Sequence, residues 1–220
     1  SSIKKENEVV HKLLGRKPNI AIDIGGHIGE YTSELRTRNP DLEIHIFEPS
    51  EINIKKLNIK FGNDQLIKIL PFAVSDKNGS ATLYSDKIGS EMGSLIKRNL
   101  KYLDIDFDVT EKVKTICFED YWKRDLHKRV LDIVKIDIEG NELAALKGFG
   151  KAIYSTNIIQ FELGGTNIDS RTYFKDFWYF FKERNFSLFR ISPLGAERIL
   201  TYDESEEYFS FMNLIALNND

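Results

Sequence analysis

Short apolar runs alternate along the chain with stretches of helical periodicity, and glycines or prolines mark most of the joints. Asn19 to Ile24 (Asn-Ile-Ala-Ile-Asp-Ile) is almost wholly apolar and predicts a strand buried on both faces. Glycines 25, 26 and 29 follow, then a helix from about Gly29 to Arg38 that Pro40 ends. Glu43 to Phe47 predicts a second strand that stops at Glu48-Pro49. Ser50 is the N-cap of a helix carrying Ile54, Leu57, Ile59 and Phe61 and closing at Gly62. Leu66 to Leu70 predicts a third strand, and Phe72 to Asp76 leads out of it. From Gly79 to about Trp122 the rhythm changes. Two β-like runs, Ser80 to Tyr84 and Val113 to Phe118, bracket a charge-mixed stretch, which predicts an excursion from the core. Leu131 to Asp137 restores the strand pattern, with a helix through Glu142 to Lys147 ending at Gly148 and a fifth strand at Ile158 to Leu163. Tyr173, Phe174, Phe177, Trp178 and Phe181 form an aromatic stripe on the next helix, facing the sheet. Phe186 to Ile191 and Phe209 to Leu217, separated by a Pro193-Leu194-Gly195 turn and an acidic loop, close the chain as an expected hairpin.

Strands alternating with helices imply an α/β domain with a mostly parallel sheet and helices on both faces. Ligands of such sheets bind beyond the carboxyl ends of the strands, near the point where strand order reverses. That rule selects five places: Asp23 to Gly29, Glu48-Pro49, Ala73 to Asp76, Asp137 to Asn141 and Glu162 to Gly165.

Composition narrows the chemistry. The chain has 220 residues, of which 41% are hydrophobic and 30% charged, enough for one sizeable core. A formal charge of -3 offers no broad cationic surface for a phosphate backbone, so a nucleic-acid partner is not expected. Mean hydropathy is -0.34 and no run approaches the roughly 18 apolar residues of a membrane span. Cys117, the single cysteine, allows no internal disulfide; it is expected to pack in the core, in a reducing, cytoplasmic compartment. The first residues lack the apolar segment of a secretory signal.

The first loop has the spacing Asp-x-Gly-x-x-x-Gly. A dinucleotide fingerprint would place a glycine where Ile24 stands, so a pyrophosphate suits the loop poorly. A ligand with an amino-acid portion suits it better. Asp23 would offer charge to an ammonium while backbone N–H groups at the helix start accept a carboxylate, and S-adenosylmethionine has both groups. Glu48 would accept hydrogen bonds from ribose hydroxyls, which NAD and S-adenosylmethionine share. Asp76 would bind an adenine amino group, with Ala73 and Val74 as apolar contacts. Period-two alternation puts Lys135, Asp137 and Glu139 on one face, where they either pair with one another or hold a substrate hydroxyl and remove its proton. No histidine adjoins them, and no metal is assigned. His27 sits in the glycine loop, where it either faces the ligand or stands as a loop-surface histidine, whereas His11, His45 and His127 read as structural or solvated. No Gly-x-Ser-x-Gly elbow supports a hydrolase.

Taken in order, Ile22-Asp23-Ile24-Gly25-Gly26-His27-Ile28-Gly29-Glu30-Tyr31-Thr32, Phe47-Glu48-Pro49, Ala73-Val74-Ser75-Asp76, Val134-Lys135-Ile136-Asp137-Ile138-Glu139-Gly140-Asn141-Glu142 and Leu146-Lys147-Gly148 resemble the FkbM-type S-adenosylmethionine-dependent methyltransferases. The resemblance covers about Ile20 to Phe161. It implies a Rossmann-like class I methyltransferase, with a mostly parallel seven-stranded sheet whose last strand is antiparallel. It implies cofactor contacts at Asp23, Gly25, Gly29 and Glu48, and places Asp137 and Glu139 near the reactive methyl. The candidate cofactor-binding set is then Asp23, Gly25, Gly26, His27, Gly29, Glu48, Pro49, Ala73, Val74, Asp76 and Asp137; the candidate catalytic set is Asp137, Glu139 and Lys135. Gly26-His27 departs from the small or polar pair common in relatives. The expected activity is O-methylation of a hydroxyl on a small molecule, sugar or glycan, by a single domain whose inserted segment at about 79–122 recognises the acceptor. An NAD(P)-dependent oxidoreductase and a non-catalytic Rossmann-like interaction domain are the alternatives.

Overall fold

The computed structural model describes residues 2–220. Helix α1 (Ser2–Leu14) precedes strand β1 (Ile20–Ile24), helix α2 (Glu30–Arg38), β2 (Glu43–Phe47), α3 (Glu51–Phe61) and β3 (Ile67–Leu70). Strands β4 (Ala73–Val74), β5 (Gly79–Ser85) and β6 (Val109–Ile116) follow, then α4 (Phe118–Arg124), β7 (Leu131–Ile136), α5 (Glu142–Gly148) and β8 (Thr156–Leu163). Short α6 (Thr166–Ser170), α7 (Phe174–Lys182), β9 (Phe186–Ser192), β10 (Gly195–Ile199) and β11 (Met212–Asn218) complete the chain.

The main sheet has eight strands in the order β10-β9-β11-β8-β7-β1-β2-β3. Strands β3, β2, β1, β7 and β8 are mutually parallel, and β11 runs antiparallel between β8 and β9. Strand order reverses between β1 and β7, the place where an open α/β sheet leaves a crevice. Seven of the strands are those expected. The eighth, β10, corrects the expectation of a simple closing hairpin. The Pro193-Leu194 turn leads straight into β10, which pairs with β9 from Ser192↔Gly195, and β11 then inserts on the other side of β9.

Alternation along the strands sorts the side chains into two cores. On one face Ile22, Ile24, Val134, Ile136, Phe161 and Leu163 pack against α4, α5 and α7; Phe161 lies against Phe177 with ring centroids 5.2 Å apart. The aromatic stripe is therefore core, except that Tyr173 stands before the helix and is 49% exposed. On the other face Ala21, Ile44, Ile133, Ile158 and Ile215 meet Val10, Tyr31, Leu35 and Leu57 from α1, α2 and α3.

Strands β4, β5 and β6 form a separate three-stranded sheet over the crevice. The excursion ends at Ile116 and not at about Trp122, because Phe118, Tyr121 and Trp122 recur at helical spacing and bury themselves in the main core as α4. Cys117 is corrected with it. It occupies the N-cap position of α4, half-exposed, and burial together with the charge of Asp120 raises its pKa.

Candidate active site

A cavity of about 660 Å³ opens at the carboxyl ends of β1 and β2, within the range of small-ligand sites. Gly25, His27, Glu48, Pro49, Ala73, Val74 and Asp137 of the expected set line it. Phe47 and Phe72 add apolar wall, and the small sheet contributes Leu83, Ser85 and Glu111.

The glycine loop is built by contact. Gly25 has φ +84°, and a Cβ there would come within 1.9 Å of the Asp137 carbonyl oxygen, so only glycine lets the β1 and β7 ends approach so closely. A Cβ at Gly26 would reach 2.2 Å from Ile46 Cγ2, and one at Gly29 would press on Phe61 and Leu57. Gly26 and Gly29 thus pack the loop onto β2 and α3 and do not line the cavity. Glu48 stands under the loop, its Oε2 accepting from the His27 N–H at 2.8 Å and its Oε1 from the Ser50 N–H at 2.9 Å. Burial pushes its pKa up to about 7 despite these bonds. His27 Nε2 donates to the Gly89 carbonyl at 3.1 Å, tying the loop to the inserted segment.

Two expected cofactor ligands are elsewhere. Asp23 is fully buried on the opposite side of β1, because neighbours along a strand point to opposite faces. Its Oδ2 accepts from Thr32 Oγ1 at 2.6 Å, and burial raises its pKa. Asp76 has turned out to solvent. Asn141 lines the cavity in its place, with Nδ2 3.4 Å from the Val74 carbonyl oxygen. Asn141 lay within the quoted motif without receiving a role.

The expected catalytic residues do come together, and the structure adds one. Lys135 Nζ donates to Asp137 Oδ2 at 2.6 Å and lies 5.2 Å from the centre of the Tyr31 ring. Lys135 is buried, and Glu139, left-handed at φ 55°, lies beside the cavity wall with its Oε2 3.7 Å from Arg98 Nη1. The added residue is Glu162 at the end of β8. Asp137, Glu139 and Glu162 each place one carboxylate oxygen within 4.8 Å of the others. Burial raises the Glu162 pKa, and the charges of Asp137 and Glu139 raise it further, so Glu162 is the protonated partner donating to Asp137. Burial alone would raise Asp137 too, but the Lys135 charge and the hydrogen bonds from Lys135 and Glu162 hold it below its ordinary value. Glu139, raised by burial and then by Asp137, sits at about 7. Three such oxygens suit a hard divalent cation. Lys135, Arg98 and the shared proton already compensate their charge. Glu162 lay in a stretch that the strand-end rule selected, but 25 residues from Asp137 nothing in the sequence joined the two.

Beyond the site, no helix among the described residues is long and apolar enough to cross a membrane. Comparison with known proteins gives a consistent answer. The family model described as the methyltransferase FkbM domain matches residues 23–188. None of the curated proteins matches. Among solved structures, an rRNA methylase from Streptococcus thermophilus superposes with a TM-score of 0.54 at 8% identity, covering 98% of this chain and 95% of that one. A protein described as a caffeoyl-CoA O-methyltransferase from Staphylococcus aureus gives 0.54 at 9% identity, covering 100% and 84%. The plantazolicin methyltransferase BpumL, solved with S-adenosylhomocysteine (SAH), gives 0.50 at 10% identity, covering 99% and 83%. At such identities the likeness is one of fold, the class I methyltransferase fold. With three quarters of its length matched, the chain belongs to the FkbM family of S-adenosylmethionine-dependent methyltransferases.

Proposed function

We propose that this methyltransferase acts on a hydroxyl oxygen of a small molecule, sugar or glycan. The observation that carries the reading is the carboxyl cluster beside the cavity, in which Asp137 is held ionised while Glu139 sits at about 7. A hydroxyl must lose its proton as it is methylated, and a base works best when its pKa lies near the working pH. Nitrogen or sulfur acceptors need such a base less.

The cavity suits S-adenosylmethionine. Glu48 spends one lone pair on each backbone donor and would keep others for ribose hydroxyls; Phe72, Val74 and Leu83 would offer an adenine apolar wall, and the Asn141 amide lines the same cavity. When bound, the cofactor supplies an electrophilic methyl carbon: the acceptor oxygen bonds to it as the carbon–sulfur bond breaks, with that electron pair returning to sulfur. Glu139 takes the hydroxyl proton, Asp137 orients the hydroxyl, and Lys135 holds Asp137 in place. Arg98, brought in by the inserted segment, steadies Glu139, which is how we read that segment's part in acceptor recognition. The half-exposed free thiol of Cys117 accords with a cytoplasmic setting.

Thermal unfolding with S-adenosylmethionine, SAH, NAD and NADP in turn tests the cofactor. At a hundred times its dissociation constant a ligand adds about 2.7 kcal/mol, a shift of about 5–10 °C for this size. The shift is expected with the first two only. A shift with the nicotinamides alone would overturn the reading, and silence from all four would favour a non-catalytic domain.

A further inference from the structure

A second, open cleft lies outside the cavity just described. Open to solvent, it spans about 1090 Å³ at the ends of β9 and β11 and is walled by Glu6 of α1, Arg190, Ser192, Tyr208, Phe211 and Asn213. These residues fall outside the matched segment 23–188, before it or after it. The cleft nevertheless adjoins the carboxyl cluster. Asn213 pairs with Glu162 across β11 and β8, and Ile136 pairs with Phe161, so Asp137, Glu162 and Asn213 form one row along the strand ends. A second row runs just below: Gln160 Nε2 donates to Glu6 Oε2 at 2.9 Å and lies 3.4 Å from Asn213 Oδ1, and Gln160 pairs with Lys135. Phe211 packs its backbone over Gly164, two residues beyond Glu162. Asp137 therefore faces the cofactor cavity at one end of a polar row, and the cleft opens at the other.

We propose that this cleft binds the methyl acceptor and that Glu6, Tyr208, Phe211 and Asn213 set which acceptor is taken; the inference rests on the hydroxyl-methylation reading above. The lining chemistry fits a hydroxyl-rich ring such as a pyranose. Tyr208 and Phe211 are 63% and 68% exposed, aromatic faces on which the C–H side of a ring stacks. Carboxylate, amide and hydroxyl groups then accept from and donate to ring hydroxyls. Arg190 is tied to Glu206, so no free cation remains among the described lining residues to bind phosphate, and Glu6 repels it. A ring seated there would lie beside Asn213, whose neighbours along the strand ends are Glu162 and then Asp137.

Saturation-transfer NMR on the full chain with SAH bound tests this, using a mixture of the methyl glycosides of glucose, galactose, mannose, rhamnose and fucose. At least one should receive saturation from the protein. Phe211→Ala with Tyr208→Ala should weaken that signal about tenfold, the loss expected for removed aromatic stacking, while SAH affinity holds within about twofold. Asn213→Leu, isosteric enough to keep β11, should do the same. The proposal is overturned if no glycoside binds, if the variants bind as well as the parent, or if a single-stranded RNA competes for the cleft. A titration with SAH alone separates the two levels: failure to bind SAH sinks the methyltransfer reading, whereas intact SAH binding with unaffected glycosides sinks only the cleft.

Discussion

Glu139 is placed to make the pH dependence of this enzyme readable. With its carboxyl at about 7, kcat/KM should fall as pH drops through that value, because the base must be ionised to accept a proton. Glu139→Gln should remove this limb and cost about 10²–10⁴ in kcat. Asp137→Asn should lower kcat as well, through lost orientation, and should shift the limb to lower pH without removing it, because the Asp137 charge helps to raise Glu139. An unchanged pH profile in Glu139→Gln would reassign the base. Residue positions at the cavity were readable from sequence only where the backbone carries them. Gly25, Glu48 and Asp137 reach the cavity, since each follows a strand whose direction the pattern already implies. Asp23 lies off the cavity because its side chain follows the pleat to the far face, and Glu162 was missed because register, not spacing, brings it to Asp137.

At the level of elements, the five parallel strands announced themselves as apolar runs, and their helices as periodic stretches ended by glycine or proline. Helix α1 did not, although Ile3, Val9, Val10, Leu13 and Leu14 recur on one side, because charges between them dilute the signal. Helix α4 hid behind Ile116-Cys117-Phe118, which continues a β-like run into the helix. Strand β10 carries Ala196, Glu197 and Arg198, all exposed, and owes its form to pairing and not to its own sequence. Two substitutions separate element packing from site geometry. Phe177→Ala on α7 should cost about 3–5 kcal/mol in urea unfolding with SAH affinity of the folded fraction unchanged, since Phe177 packs on Phe161 and lines no part of the cofactor cavity. Gly25→Ala is the converse. Its clash with the Asp137 carbonyl parts β1 from β7, so SAH binding should fail even where the chain still folds.

Over the whole molecule, buried carboxyls dominate the pH dependence of stability. Burial raises Glu48 and Glu142 from the ordinary 4.5 to about 7, in Glu142 against hydrogen bonds from the Ile138 and Gly140 N–H groups. A carboxyl raised by folding stabilises the fold fully below its unfolded pKa and loses that contribution as pH climbs through its folded one. The ligand-free protein should therefore be more stable at pH 5 than at pH 8, by up to about 3 kcal/mol for each group. Asp41 and Asp64, lowered by their partners Lys17 and Arg36, act in the opposite sense but only below about pH 4. Unfolding midpoints measured across this range check the slope, and Glu142→Gln should flatten it. A protein more stable at pH 8 than at pH 5 would mean that these carboxyls are ionised in the fold.

The eighth strand has a consequence of a different kind. Without β10, β9 would end the sheet, offering the unpaired backbone of Phe186–Ser192, with Phe189 and Ile191 on it, to any other extended chain. The hairpin replaces that adhesive border with one lined by Glu197 and Arg198, and its tip, Leu194, projects 96% exposed into solvent. Strand β10 is in that sense a guard against edge-to-edge pairing, and shortening the 193–200 hairpin would turn this border into a template for aggregation.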